Sequence, residues 1–333
     1  MLSVICPIYN EEKYIRKCIE SILAQDYPKE NLEVIFADGM STDRTREIVA
    51  EYSQMYPWIN LIDNPDRIVP PALNKAIDVS KGDIIMRLDA HAEYPENYFS
   101  ELVKQLKILN ADNVGAVCIT LPINDSATAQ AIASVLSSKF GMGNSSFRVG
   151  AKEVCLVDTV PFGCWPRSVF KRIGKFDREL TRNQDDEFNG RLIKAGGKIY
   201  LLPHVEVKYY ARDKISKVAK MFYQYGLFKP LVNKKLGAPA TIRQFIPLAL
   251  VLGLVIGLII SVFWPPFLWI YCSGIVIYFL LALAFSIKSG GSLSKIFVQT
   301  WTYFVVHVSY GVGYLVGIWK ILMHRPFNVQ NNR

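Results

Sequence analysis

Four short groups of side chains in this sequence have the types and spacing that chemistry needs. The first is Asp89-Ala90-His91, which closes the apolar run Ile84-Ile85-Met86-Arg87-Leu88. A carboxylate and an imidazole two residues apart can point at one divalent cation, with the small Ala90 keeping the floor of the site low. The same triplet also suits an ordinary strand exit with Asp89 as a helix cap. The second group is Arg182-Asn183-Gln184-Asp185-Asp186-Glu187, three consecutive acids directly before Phe188, Leu192 and Ile193 at helical spacing. Acids in a first turn complement the helix dipole, and one that faces a cleft can act as a general base. The other two groups are Pro7-Ile8-Tyr9-Asn10-Glu11-Glu12 and Asp38-Gly39-Met40-Ser41-Thr42-Asp43.

The elements between these groups decide whether they meet. Leu2 to Ile8 reads as a buried strand, and Ile15, Cys18, Ile19, Ile22 and Leu23 recur at helical spacing until Tyr27-Pro28. Leu32 to Phe36 is a second strand; Asp38-Gly39-Met40 is its turn, and Ser41-Thr42-Asp43 caps a helix through Met55. Ile59 to Ile62 and a helix from Pro70-Pro71 through Val79 come next, and the run that ends at Asp89 is the fourth strand. Four strand–helix alternations predict an α/β fold with a mostly parallel sheet, whose carboxyl ends bring Tyr9, Glu11, Asp38 and Asp89 to one side. Further on, Val114 to Thr120 and Ile199 to Leu202 are strands. The Ser-, Ala-, Gly- and Asn-rich segment 124–152 reads as a loop, and Thr159 to Trp165 brings aromatic residues to a turn, for sugar stacking or for packing.

The chain has 333 residues, room for one α/β domain and something further. Its six cysteines lack CxxC spacing, which points to buried free thiols and not to a zinc site or a disulfide framework. The short, unbasic start does not resemble a signal peptide, so the amino-terminal part is expected in the cytosol. A net charge of +9 raises nucleic acid as a partner, but the basic residues gather beside apolar stretches. That favours anionic lipid over a nucleic-acid groove. Residues 209–243 alternate lysines with apolar side chains, as a helix in the headgroup layer does. Residues 244–323 form the membrane region, with spans at 245–264 and 266–286 and a third, less clean apolar stretch at 296–322 that polar residues interrupt. That stretch is open to reading as a tilted span or a re-entrant helix.

Taken together, the four motifs in their order resemble the family 2 glycosyltransferases. The resemblance covers roughly Leu2 to Pro203, within a first domain drawn at 1–208. It implies the Rossmann-like, nucleotide-sugar-binding GT-A fold, and the Asp-Ala-His triplet with an apolar tail resembles the succinoglycan-type membrane glucosyltransferases of exopolysaccharide assembly. It implies that Pro7, Tyr9, Glu11 and Asp38 hold the nucleobase and ribose. Asp89 and Ala90 would contact ribose and diphosphate, and Asp89 and His91 would ligate a divalent cation, with Glu93 close enough to add a carboxylate. Asp185 would be the base, with Asp186 the alternate because Gln184 replaces the family's glutamate. The family has aspartate-aspartate-glycine before its Ser-Thr-Asp, where this chain has Asp38-Gly39-Met40. His91 replaces the family's second acid, which shifts the expected cation from Mg2+ toward Mn2+. The resemblance thus implies a hexosyltransferase, a multi-pass membrane protein with a cytoplasmic catalytic domain. It would transfer sugar with inversion from a nucleotide-diphosphate donor, a UDP-sugar, to a lipid-linked saccharide. Transfer to polyprenyl phosphate and an inactive, membrane-tethered nucleotide-sugar binder are the two alternatives.

Overall fold

Leu2–Ile8 (β1) is buried along all seven residues, as an apolar strand covered on both faces must be. The computed structural model describes residues 1–239 and 241–327; Ala240, inside the basic 209–243 stretch, lies outside them. After β1 come helix Ile15–Leu23 (α1), strand Leu32–Asp38 (β2), helix Thr45–Met55 (α2), strand Ile59–Asp63 (β3), helix Val69–Val79 (α3) and strand Ile84–Arg87 (β4). α1 buries Ile15, Cys18, Ile19 and Ile22 of the apolar positions that its spacing predicts, and leaves Leu23 half-buried. Strand Ala92–Glu93 (β5), helix Tyr98–Ile108 (α4) and strand Asn113–Leu121 (β6) come after them.

The segment expected to be a loop is three helices: Ala127–Leu136 (α5), Lys139–Met142 (α6) and Ser146–Val149 (α7). Ser126 and Ser138 cap the first two through their hydroxyls, so the serines that suggest a loop are helix starts. The chain continues through strands Cys155–Leu156 (β7) and Cys164–Pro166 (β8), helices Arg167–Ile173 (α8) and Gln184–Lys194 (α9), and strand Ile199–Tyr210 (β9). β9 runs eight residues past the Leu202 end expected for it and crosses the boundary drawn at 208. The sheet has the order β3-β2-β1-β4-β8-β6-β9-β5, with β7 on β9. It is parallel from β3 to β4, where strand alternates with helix, and antiparallel at β4–β8, β6–β8, β5–β9 and β7–β9.

By internal contacts the described chain falls into two units, Met1–Ile119 with Gly150–Tyr209, and Thr120–Val149 with Tyr210–Phe327. No single cut in the sequence makes that division, because α5 to α7 belong with the residues after 209. The second unit adds helices Ile215–Leu236 (α10), Ile246–Phe263 (α11), Phe267–Lys288 (α12) and Leu293–Leu322 (α13). The last three are long and apolar enough to cross a membrane. The polar residues that interrupt α13 have partners. His307 bonds Tyr278 Oη at 2.8 Å and the Phe140 carbonyl at 2.9 Å, Thr300 donates to Ser286 Oγ at 3.0 Å, and Gln299 Oε1 accepts from Ser289 at 2.7 Å.

Glycines let α10 and α13 touch backbone to backbone. A Cβ on Gly313 would stand 2.1 Å from the Tyr223 carbonyl oxygen, closer than any atom pair tolerates. Gly313→Val is therefore expected to pry the helices apart and destabilise the second unit by roughly 1–3 kcal/mol or more. A lowered thermal midpoint of the detergent-solubilised protein would register the loss.

Candidate active site

β1, β2 and β4 lie side by side and parallel, with Ile8 opposite Asp38 and Ile5 opposite Arg87, so the loops that leave them share one edge. The first two loops are laced together. Asn10 and Met40 take left-handed backbone conformations (φ 53° and 61°). Asn10 N donates to Ser41 Oγ at 2.8 Å and its Oδ1 accepts from Thr42 N at 2.8 Å. Glu11 N donates to Thr45 Oγ1 at 2.7 Å, and Arg44 N to Glu12 Oε2 at 3.1 Å. Most polar residues of the two motifs thus build the rim. Ser41 serves Asp38 and does not cap α2; Asp43 alone of the three capping candidates meets the helix start, accepting from Thr45 N at 3.0 Å.

Pro7, Tyr9, Gly39, Asn64, Arg67 and Arg182 line an open cleft with about 410 Å³ of unfilled space. Of the expected nucleobase residues, Pro7 and Tyr9 face it. Asp38 does not: it is fully buried, and its carboxylate accepts from Arg46 Nη1 at 2.6 Å and from Ser41. These bonds tie down the loop in which Gly39 lies against the Tyr9 ring. Glu11 is buried under His91, its Oε1 3.7 Å from His91 Nδ1.

Beyond β4, Leu88 N bonds the Ile5 carbonyl at 3.0 Å and carries Asp89 along the same edge. Asp89 N donates to Tyr94 Oη at 2.8 Å. Ala90 is buried, and a quarter of the His91 side chain is exposed, its ring edge-on to Tyr209 at 5.9 Å. Glu93 points to Lys208 on β9 at 3.7 Å. No group of three or more His, Cys, Asp or Glu side chains able to hold a metal forms among the described residues.

The residue that joins the motifs is Arg87, which lies one step before the expected triplet. Its side chain is 5% exposed. The guanidinium donates from Nε and Nη2 to Asp89 Oδ1, at 3.3 and 3.1 Å, and from Nη1 to Asp185 Oδ1. Burial opposes its charge, but the carboxylates of Asp185 and Asp89 outweigh that and raise its pKa further. Asp185 keeps a third of its side chain open. Burial is the chief influence that pushes its carboxyl up to about 6; Asp89 and Asp186 add to the rise and Arg87 restrains it.

α9 holds Asp185 in place through aromatic packing. Phe188 stacks on Phe176 at 4.5 Å and packs with Phe170 and Trp165, so Trp165, a candidate for sugar stacking, is core. Asn189 adds hydrogen bonds to Asn113 at 2.9 Å and to Thr159 at 2.8 Å, and Arg191 clamps Glu187.

One carboxylate and one imidazole fit a divalent cation whose remaining ligands come from substrate phosphates. Glu11 Oε1, 3.7 Å from His91 Nδ1, places a second acid beside the imidazole. Arg67 and Arg182 bring positive charge to the cleft wall, suited to a diphosphate.

A parallel half-sheet thus has a cleft at its carboxyl edge, and an acid from a later helix shares one guanidinium with the strand-end aspartate. The chain belongs to Glycosyl transferase family 2, whose profile matches residues 3–172. It is 36% identical over 241 residues to a dolichyl N-acetyl-alpha-D-glucosaminyl phosphate 3-beta-D-2,3-diacetamido-2,3-dideoxy-beta-D-glucuronosyltransferase of Methanococcus voltae, covering 70% of this chain and 74% of the relative. It is 32% identical over 257 residues to the succinoglycan biosynthesis protein ExoA of Rhizobium meliloti, covering 74% of each. Among solved structures, a mannosyltransferase of Pyrobaculum calidifontis in complex with GDP-Man and Mn2+ shares the fold with a TM-score of 0.60 at 19% identity, over 96% of this chain and 87% of that one.

Proposed function

We propose that the protein is a membrane-anchored, inverting glycosyltransferase. It moves one sugar from a nucleotide-diphosphate donor, a UDP-sugar, to a lipid-linked saccharide, with its catalytic unit on the cytoplasmic face. The observation that carries the proposal is the meeting of Asp89 and Asp185 on Arg87. The lipid-linked acceptor draws support from the name of the Methanococcus voltae relative, which specifies a dolichyl-phosphate-linked sugar, and from the apolar helices that come after the catalytic unit in the chain.

The nucleoside end of the donor lies against Tyr9 and Gly39, with Arg67 and Arg182 near the diphosphate. Asp89 and His91 would hold a divalent cation, Mn2+ or Mg2+. When bound, the cation neutralises charge that develops on the departing diphosphate. Asp185 takes the proton of the acceptor hydroxyl as that oxygen bonds to the anomeric carbon and the bond to the diphosphate breaks. Attack opposite the leaving group inverts the configuration.

Asp185 works as a base only when ionised. kcat/KM is therefore expected to fall along a one-proton limb below about pH 6, which a pH–rate profile would display. The sign for stability is the reverse. A carboxyl raised above its ordinary value of about 3.9 favours the folded state while protonated, and that contribution is lost as pH rises through about 6.

The test of the function is acceptor-dependent release of UDP by the purified protein, with mass spectrometry of the lipid product. A lipid-linked saccharide one sugar heavier supports the proposal. Release with bare polyprenyl phosphate would reassign the acceptor, and no release with any UDP-sugar would leave a binding protein.

A further inference from the structure

α13 has 30 residues, about 45 Å of helix, against a hydrocarbon core of about 30 Å. By length and composition it passes as a third span, yet its neighbours do not allow that path. α10 runs beside it in the same direction. Val218 and Phe222 share a buried cluster with Tyr303 and Val306. A Cβ on Gly226 would meet the Tyr310 carbonyl oxygen at 2.0 Å, and one on Gly317 the Leu227 carbonyl oxygen at 2.4 Å. The pair therefore stays in contact from Tyr303 to Gly317. α10 exposes Lys217 and Lys220 near its start and Lys234 and Lys235 at its end. An α13 that crossed the bilayer would draw α10 across with it and leave lysines in hydrocarbon or on the far face.

The hairpin of α11 and α12 is a different material. It carries no charged side chain from 246 to 287. It meets α13 over its basal half, where Gly311 packs on Pro247 and Val251 in the first turns of α11, Ser286, near the end of α12, accepts from Thr300, and Tyr278, midway along α12, bonds His307. Past that level Val255, Ile259, Val262, Phe263, Trp269 and Ile270 are each more than half exposed, a surface made for lipid tails.

We propose that α10 and α13 lie together in the plane of the membrane interface, with the exposed lysines of α10 in the headgroup layer, and that the α11–α12 hairpin alone enters the bilayer deeply. Both ends of α13 then face the side on which α10 lies. Lys288, Lys320, His324 and Arg325 all fall on that side, in keeping with the tendency of basic residues to stay on one face. The inference does not depend on the reaction proposed above.

Accessibility in sealed membrane vesicles of the two orientations tests it, with Leu293→Cys and Arg325→Cys marking the ends of α13 and Ser216→Cys and Lys235→Cys those of α10. The unsubstituted protein gives the background from the native thiols, of which Cys6, Cys18, Cys118 and Cys164 are buried. A membrane-impermeant maleimide is expected to label all four variants in one vesicle orientation and to lose that labelling in the other. Labelling of Arg325→Cys from the face opposite to Leu293→Cys overturns the proposal, as does an Arg325→Cys that reacts from neither face until detergent is added. Met323→Cys, at a position 54% exposed at the same end of α13, replaces Arg325→Cys if that variant is not retained in the membrane.

Discussion

Asp185→Asn is expected to lower kcat by about 10²- to 10⁴-fold, the range that a positioned base contributes, and to leave donor affinity unchanged. The amide keeps the shape of the carboxylate and still fills the space beside Arg87, so the cleft walls at Tyr9 and Gly39 stay where they are. The variant loses an oxygen able to take a proton. Arg87 keeps its bonds to Asp89, at 3.1 and 3.3 Å, so the strand-end corner is not set loose. Single-turnover kinetics with calorimetric donor binding separate the two quantities. Asp186→Asn in parallel decides between neighbouring acids: full activity in Asp185→Asn with loss in Asp186→Asn would move the base by one residue.

Arg87→Met is expected to do damage of a different kind, to both fold and reaction. It takes the shared counter-charge from Asp89 and Asp185 and leaves two carboxylates facing each other across an apolar side chain. Breaking a buried pair by removing one partner costs about 3–5 kcal/mol. The lower figure applies here, because Asp185 is a third exposed and water screens the remaining charge. With the restraining influence of Arg87 gone, the Asp185 carboxyl titrates higher and the acid limb of the pH–rate profile moves up from about 6. Arg87→Lys keeps the charge without the fork that reaches both acids. It should restore the limb more fully than it restores the thermal midpoint. Adding Asp185→Asn to Arg87→Met should cost less stability than the two losses summed, since the neutral amide has no charge to leave unpaired.

The parallel half of the fold is legible in the sequence because its signals are local. β1, β2 and β4 are apolar runs, α1 repeats its apolar positions every three or four residues, and Pro70-Pro71 opens α3. The strand-end cluster stems from topology, since parallel neighbours must present the same end. α5 to α7 are not legible as helices because the partners that complete them are distant in the chain: Ile132 and Leu136 pack on Val218, Phe222 and Tyr303. A serine-rich stretch read without those partners looks like a loop. The pairing of Asp38 with Arg46 is not legible in the strand-end motif because Arg46 lies eight residues on, in α2. Arg87 escapes notice for a different reason. A search for acids and imidazoles passes over the cation among Ile85, Met86 and Leu88, although a lone charge inside a buried run is itself a signal that something must pair with it.

The division of the chain into interleaved units has a consequence during synthesis. α5 ends at Leu136, 79 residues before α10 begins at Ile215 and 157 before α13 begins at Leu293, roughly 4–16 s and 8–31 s at about 5–20 residues per second. Until α10 emerges the face of Ile132, Val135 and Leu136 has none of its native partners on the C-terminal helices, and until α13 emerges it lacks Tyr303 and Val306, so the nascent protein carries a sticky helix while its catalytic sheet is still gaining strands. Refolding yield is therefore expected to fall when the chain is truncated before α10, where that face has no C-terminal helix to cover it.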